Sequence, residues 1–500
     1  MPQGGRFVIV FVVDGLRPDA ITAELTPTLC RLRSEGVDFT NSHSVFPTVT
    51  RVNAAAIGTG MHPGSTGILG NQMYAAAVDS RRALDTGNHR RLLELDQATG
   101  GRLVLTETLG ERLHARGLRL ASVSSGSTGS ALLTNPRAPH GIGVLVNGAF
   151  DPGKLVAWPA DVSGAILAKF GPAPARGAFP RYDAVVTWTQ QVLREYVLPE
   201  LAPDVVINWL TEPDHSQHHL GVGSPSSLEA LANDDREIAR VLTTLDDRGL
   251  TPSTDVLVVS DHGFTTNVSG VDVAGALIEA GLKGSADSSD VVLASSGQAV
   301  AVHVEGHEPD RIAAIARFVQ SREWGGVVFT AGRAAGDARG ALEGTFSLEL
   351  IHVANTARGP DLLFTFPWTS RQNAFGVPGT DLASISGGAK LYPSDHGSMS
   401  PWNVRNTCIA WGVDFKKRAT VRTPVGNVDV TPTILALLGI PEDGALDGRV
   451  LAEALENGPD AEQIAVDTRV HTVESGAYRA AIQVSDVDGH RYVDKSWRIR

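Results

Sequence analysis

With 500 residues, 42% of them hydrophobic, and a formal net charge of −12, the chain can bury a core large enough for one enzyme domain carrying a second lobe. The acidic excess is spread along the sequence without a basic run, which argues against a nucleic-acid polymer or a membrane surface as partner. Cys30 and Cys408 are too few for a disulfide framework or a cysteine-rich zinc site, so any metal must be held by histidine and carboxylate.

The first predicted element is the strand Phe7–Val13, an unbroken apolar run that reads as a parallel strand buried on both faces and is far too short to span a bilayer. It begins almost at Met1, leaving no room for a basic segment, an apolar core and a cleavage site; a cytoplasmic chain is the expectation, and a form with its signal removed would read the same. The strand closes on Asp14-Gly15, where open α/β sheets put their ligand sites. A helix over Thr26–Glu35 follows. Next comes Phe46-Pro47-Thr48-Val49-Thr50-Arg51-Val52-Asn53, leading into an alanine-rich helix start at Asn53. Thr50 then lies at a helix N-terminus, where backbone N–H groups and the helix dipole favour anionic oxygens. Taken alone, the same position also suits a plain N-cap.

Further along, apolar periodicity predicts a helix at Leu105–Arg116, a strand at Leu118–Val123 and a helix at Tyr182–Leu198. A second buried strand, Asp204–Leu210, leads into Thr211-Glu212-Pro213-Asp214, and a helix spans Ser226–Asp247. A third buried strand, Asp255–Ser260, delivers Asp261-His262-Gly263. The alternation predicts an α/β fold, doubly wound around a mostly parallel sheet, with three strands sending carboxylates to one edge. Between Gly270 and Lys390 the texture changes to short strands at Val291–Leu293, Ala299–Val304, Gly326–Phe329, Phe346–His352 and Leu362–Phe366 around a helix at Asp310–Arg322, read as an inserted smaller α+β lobe closing over the site. The core resumes with a strand at Thr407–Trp411 and a helix at Val428–Leu438, and Val470–Arg500 reads as a hairpin about Asp488-Gly489. The expected division is a core over 1–269 and 391–460, a lobe over 270–390 and a hairpin extension over 461–500.

Asp14, Thr50, Asp214 with His218, Asp261-His262 and His396 supply enough ligands for two divalent metals around one hydroxyl nucleophile, which points to phosphoryl transfer. Asp214 and His218 are one helical turn apart and can face one ion. Asp261 and His262 are adjacent, so both can bind only if the strand ends there and turns, which Gly263 favours. His215 and His219 are expected at the solvated surface, and His43, His62 and His352 in structural or exposed positions.

The motifs Phe46-Pro47-Thr48-x-Thr50-x-x-Asn53, Thr59-Gly60-x-x-Pro63-x-x-x-Gly67-Ile68-x-x-Asn71-x-Met73-Tyr74, Glu212-Pro213-Asp214-x-x-x-His218, Ser260-Asp261-His262-Gly263, His396-Gly397 and Asp429-Val430-Thr431-Pro432-Thr433 occur in one order from Phe7 to about Gly439. In this the chain resembles the nucleotide pyrophosphatase/phosphodiesterase branch of the alkaline phosphatase superfamily. The resemblance implies an alkaline phosphatase-like fold, one metal held by Asp214, His218 and His396, and a second held by Asp14, Asp261, His262 and the Thr50 oxygen. It implies Asn71 as a donor to phosphoryl oxygen, and attack by Thr50 giving a phosphothreonine that water then hydrolyses. The metals are expected to be two zinc ions, with manganese and iron compatible with the same ligand types. A small phosphate ester is the expected substrate.

In the nucleotide-cleaving members that the chain resembles, an aromatic residue and a proline follow the nucleophile; here Arg51 and Val52 stand there. Arg51 either pairs with a second anionic group of the substrate or salt-bridges at the surface. No lysine precedes Lys154, which counts against a phosphonoacetate hydrolase, and the Cys/Ser-x-Pro-x-Arg context of sulfatases is absent. A phosphomonoesterase, a phosphonate hydrolase of the same superfamily and a binding protein without chemistry remain as alternatives.

Overall fold

The computed structural model describes residues 5–151, 154–174, 181–441 and 444–499. Its centre is a nine-stranded sheet in the order Ala419–Val421, Val37–Phe39, Cys408–Gly412, Thr254–Val259, Phe7–Val13, Val205–Leu210, Leu120–Ser124, Val144–Asp151, Lys154–Trp158. Phe7–Val13 pairs in parallel with Thr254–Val259 on one side and Val205–Leu210 on the other, and only Cys408–Gly412 and Lys154–Trp158 run against their neighbours.

The strand period of two explains the layers. Val8, Val10 and Val12 enter one apolar core with Ala54, Ala55 and Ile57 of the helix Thr50–Thr59 and Ile434 and Leu435 of the helix Val430–Leu437. Phe7, Ile9, Phe11 and Val13 enter a second core with Leu29 and Leu32 of the helix Pro27–Glu35 and Leu231, Ile238 and Val241 of the helix Pro225–Asp247. Helices therefore cover both faces, as the alternation predicts.

Several elements differ from expectation. The helix expected over Leu105–Arg116 spans Leu109–His114, because Thr108 and Glu111 form a reciprocal cap that fixes its start. The Tyr182–Leu198 helix is α-helical over Asp183–Val192 and widens to π-helical over Leu193–Leu201, a stretch holding Pro199, which has no N–H to donate. Phe346–His352 is a strand only at Phe346–Ser347; the Ser347 hydroxyl caps a turn through Leu350, and the apolar residues there are buried by packing rather than by pairing. The C-terminal hairpin carries a third strand, giving Val466–Ser475, Tyr478–Val487 and His490–Arg498.

Val291–Ser296, Ala299–Val304, Leu362–Thr365, Val328–Thr330 and Phe346–Ser347 form a five-stranded sheet with the helix Pro309–Ser321 on its core. Val473, Tyr478, Ala480 and Ile482 of the C-terminal sheet share that core. A four-stranded sheet pairs Thr265–Val271 with Ser394–Asp395, Thr265 opposite Asp395 and Thr266 opposite Ser394. This pairing brings the residues just after Asp261-His262 against those just before His396.

Candidate active site

The three central strands end together. Val13, Leu210 and Val259 are the last residues of their strands, so Asp14, the Thr211–Asp214 turn and Asp261-His262 emerge at one edge. The Thr254–Val259 strand stops before Asp261, and the following loop lets Asp261 and His262 both face inward. Gly263 serves differently from expectation: its backbone is not left-handed, but a Cβ there would fall 2.1 Å from the Trp402 carbonyl oxygen, so close packing excludes a side chain.

Thr50 is the first residue of the Thr50–Thr59 helix, three residues earlier than the alanine run suggests. Val49 is the N-cap and no side chain caps the helix, so the Thr50 hydroxyl is not spent on capping. Its Oγ1 lies 3.3 Å from His262 Nε2. The Arg51 backbone N–H donates to Asn71 Oδ1 at 3.1 Å, so the oxygen of this amide is engaged and its NH₂ group is the donor that Asn71 brings to the cavity wall.

Three histidines share one arrangement. His218 Nδ1 is 3.1 Å from the Ser394 carbonyl, His262 Nδ1 is 2.9 Å from the Gly263 carbonyl and His396 Nδ1 is 3.0 Å from the Thr48 carbonyl. A carbonyl only accepts, so each Nδ1 carries a proton, and each ring when neutral presents its lone pair at Nε2. Those Nε2 atoms surround Asp214 Oδ1 at 3.3 Å for His218, 3.5 Å for His396 and 3.9 Å for His262. His262 Nε2 also lies 3.1 Å from Asp261 Oδ2 and 3.6 Å from Asp14 Oδ1. The other oxygens of Asp14 and Asp261 are satisfied: Trp209 Nε1 donates to Asp14 Oδ2, and the Gly15 and His262 amides donate to Asp261 Oδ1. Asp14 Oδ1, Asp214 Oδ1 and Asp261 Oδ2 are buried without a hydrogen-bond partner.

Unpaired buried carboxylate oxygens facing imidazole lone pairs are costly unless a cation joins them. Asp14, Asp261 and His262, expected to share one ion, offer ligand atoms within 4.8 Å of one another. For the other ion the groups so placed are Asp214 with His262 and His396, and His218 with Asp395 and His396, which differ from the expected Asp214, His218 and His396. The electrostatics agree. Burial, with the charges of Asp261 and Asp214, pushes the Asp14 carboxyl well above its usual range. Against the pull of burial, His218, His396 and His262 hold Asp214 well below that range. Burial disfavours a charged His218, but the Asp214 carboxylate outweighs it and raises the imidazole to about 9, so its Nε2 holds a proton against Asp214 at neutral pH that a bound cation would displace.

Asp395 was not anticipated. It lines the same cavity, its Oδ1 accepts the His396 amide at 2.8 Å and lies 3.7 Å from His218 Nδ1, and it groups with His218 and His396. The available signal was the tetrapeptide Ser-Asp-His-Gly, which occurs at 260–263 and again at 394–397. His215 and His219, expected in solvent, line the cavity instead, their rings against Tyr182 at 3.9 Å and Tyr392 at 5.1 Å. His43 bonds the Val425 carbonyl and Asp494, and His62 stacks on His352 at 3.9 Å, both away from the ligand sets.

A buried amide network ties the nucleophile helix to the Asp261 loop. Asn427 Nδ2 donates to Asn53 Oδ1, the Ser260 carbonyl and the Asp261 carbonyl at 2.9, 3.2 and 3.0 Å, while Asn53 holds Val45 and Val49. Asn427→Ala removes the shared donor, and is expected to cost about 1–3 kcal/mol of stability through the loss of hydrogen bonds worth about 0.5–1.5 kcal/mol each, although each acceptor keeps a second donor in the Val45 amide, Asn406 Nδ2 or the Ser44 hydroxyl. Urea unfolding measures this; a change within about 0.5 kcal/mol, the usual range for surface substitutions, would mean the network is redundant.

A hydroxyl at a helix start, facing two histidine-carboxylate ligand sets at the carboxyl edge of a doubly wound sheet, defines a chain of the alkaline phosphatase superfamily. Residues 8–323, well over half of the chain, match the family type I phosphodiesterase / nucleotide pyrophosphatase, and the chain belongs to that family. It is 24% identical over 260 residues to venom phosphodiesterase 2 of Crotalus adamanteus, covering 51% of this chain and 26% of that protein. It is 25% identical over 258 residues to mouse ectonucleotide pyrophosphatase/phosphodiesterase family member 1, covering 51% and 24%. The matched segment thus spans about a quarter of the length of these curated relatives. Among solved structures, murine ectonucleotide pyrophosphatase/phosphodiesterase 5 shares the fold with a TM-score of 0.59 at 15% identity, covering 87% of this chain and 96% of that one. The same protein is also solved as an inactive threonine-to-alanine variant in complex with AMP.

Proposed function

We propose that this protein hydrolyses small phosphoric esters, phosphodiesters or nucleotide pyrophosphates, by in-line attack of Thr50 and a phosphothreonine intermediate. The observation that carries the reading is the set of three histidines whose Nδ1 protons are spent on carbonyls while their Nε2 atoms face unpartnered oxygens of Asp14, Asp214 and Asp261 beside the Thr50 hydroxyl. Asp214, His218 and His396 would hold one divalent ion, and Asp14, Asp261, His262 and Thr50 Oγ1 another. Zinc suits these ligands, and when bound it would lower the pKa of the threonine hydroxyl and offset phosphoryl charge.

The chain's own residues supply the rest. Thr50 Oγ forms the new bond to phosphorus as the ester oxygen departs with the electron pair of the bond that breaks, and water later releases the phosphoryl group from Thr50. Asn71 Nδ2 donates to a phosphoryl oxygen. Nucleotides belong among the compounds to try because relatives carry them in their names, and no helix among the described residues is long and apolar enough to cross a membrane.

The test is chelation followed by restoration, with rates on bis-p-nitrophenyl phosphate, p-nitrophenyl phosphate and a nucleotide p-nitrophenyl ester. Turnover is expected to fall by about a hundredfold or more when chelated and to return with zinc, since the threonine hydroxyl is a poor nucleophile without a lowered pKa. Full turnover by the metal-free protein would end the proposal, and inertness of the zinc-loaded protein would favour a binding role.

A further inference from the structure

The cavity at the ligand cluster has a volume of about 650 Å³, and Arg51 and Lys390 are the arginine and lysine on its wall. They differ in how they are accommodated. The Lys390 ammonium stands over the Tyr392 ring at 5.2 Å. Arg51 is half-buried, its guanidinium makes no ion pair or hydrogen bond among the described residues, and its Nε is enclosed without a partner. Asp85, a carboxylate on the same wall and beside the same Gly87 loop, makes no ion pair with it, and its Oδ1 accepts the Gly87 amide at 2.8 Å.

A half-buried guanidinium that makes no ion pair or hydrogen bond among the described residues is costly to keep, and an oxyanion bound to it would offset that cost. The side chain is also deliberately seated. It leaves the helix about 100° around from Thr50 and lies against the Asp85–Gly87 loop, where a Cβ on Gly87 would come within 2.4 Å of Nη2. The Thr50 hydroxyl, by contrast, lies 3.3 Å from His262 Nε2.

We propose that Arg51 recognises a second oxyanion of the substrate, a carboxylate or phosphate separate from the reacting phosphoryl group, and so selects esters that carry one. This rests on the phosphoryl-transfer reading above. The planar fork of the guanidinium suits two oxygens of one such group, met through its Nη atoms.

The experiment uses the zinc-loaded full chain and three p-nitrophenyl diesters that differ in their second ester group: phenyl, para-carboxyphenyl and para-phosphonomethylphenyl. The readout is the ratio of kcat/KM for each charged ester to that for the phenyl ester, taken within one variant. The wild type should favour a charged ester by about ten- to a hundredfold, Arg51→Ala should bring the ratio close to one, and Arg51→Lys should keep part of it. Which charged ester is favoured identifies carboxylate or phosphate as the partner. An unchanged ratio in Arg51→Ala, whether all three rates fall together or none falls, overturns the proposal: the first outcome assigns Arg51 to the reacting phosphoryl group, the second to packing. Binding of the same three esters to Thr50→Ala, followed by calorimetry, makes the comparison without turnover. Failure of the phosphoryl-transfer reading is separate, appearing as inertness of the zinc-loaded wild type toward all three esters.

Discussion

Thr50→Ala is expected to lower turnover of every phosphate ester by several orders of magnitude while leaving bound metal unchanged. The hydroxyl is the one reactive group that the change deletes. Alanine keeps the helix start, because Val49 is the N-cap and the Thr50 side chain makes no capping bond. The carboxylate and imidazole sets also survive: Asp14 Oδ2 stays bonded to Trp209, Asp261 Oδ1 stays bonded to the Gly15 and His262 amides, and His262 stays fixed through its Nδ1. Metal content by elemental analysis should therefore match the wild type. Acid quenching during turnover should trap phosphate on Thr50 of the wild type and none on the variant. Near-normal rates in the variant would mean that water attacks phosphorus directly and that no covalent step occurs.

That prediction could be framed from the sequence because its parts are local. The strands Phe7–Val13, Val205–Leu210 and Thr254–Val259 are buried on both faces, so each reads as a largely apolar run, interrupted only by Asn208 in the second and Thr254-Asp255 at the start of the third, and each is followed within a few residues by its carboxylate. Asp214 and His218 share one turn of a helix, and Asp261 and His262 are neighbours. The edge of the sheet was harder to read. Lys154–Trp158 is antiparallel and short, and the helices His89–Ala98 and Ala160–Phe170 lack a long apolar stripe, so none of these stood out. Features that depend on long-range contacts left little trace: Asn427 meets the Asp261 loop across 166 positions, and the Gly263 constraint comes from Trp402. Asp395 is the exception, since a repeated tetrapeptide announces it.

His396→Ala should act by the opposite route from Thr50→Ala, removing metal and leaving the nucleophile in place. Its Nε2 is one of three that surround Asp214 Oδ1, and no protein atom hydrogen-bonds that oxygen. Deleting the ring leaves Asp214 and His218 as the remaining members of their set, too few to fix an ion's geometry. It also removes the Nδ1–H bond to the Thr48 carbonyl, two residues before the nucleophile, so the loop leading to Thr50 loses an anchor. One equivalent of zinc should be lost on gel filtration, and kcat/KM should fall by about a thousandfold or more, on the scale of removing an activating group from a two-metal site. Asp261→Ala should match it in rate and empty the other set, because Asp14 and His262 then remain as the protein carboxylate and imidazole there. The pairing of results decides the scheme. Metal retained with rate lost in Thr50→Ala, against metal and rate lost together in His396→Ala, separates the nucleophile from its ligands; two equivalents of zinc and full turnover in His396→Ala would remove this histidine from the site altogether.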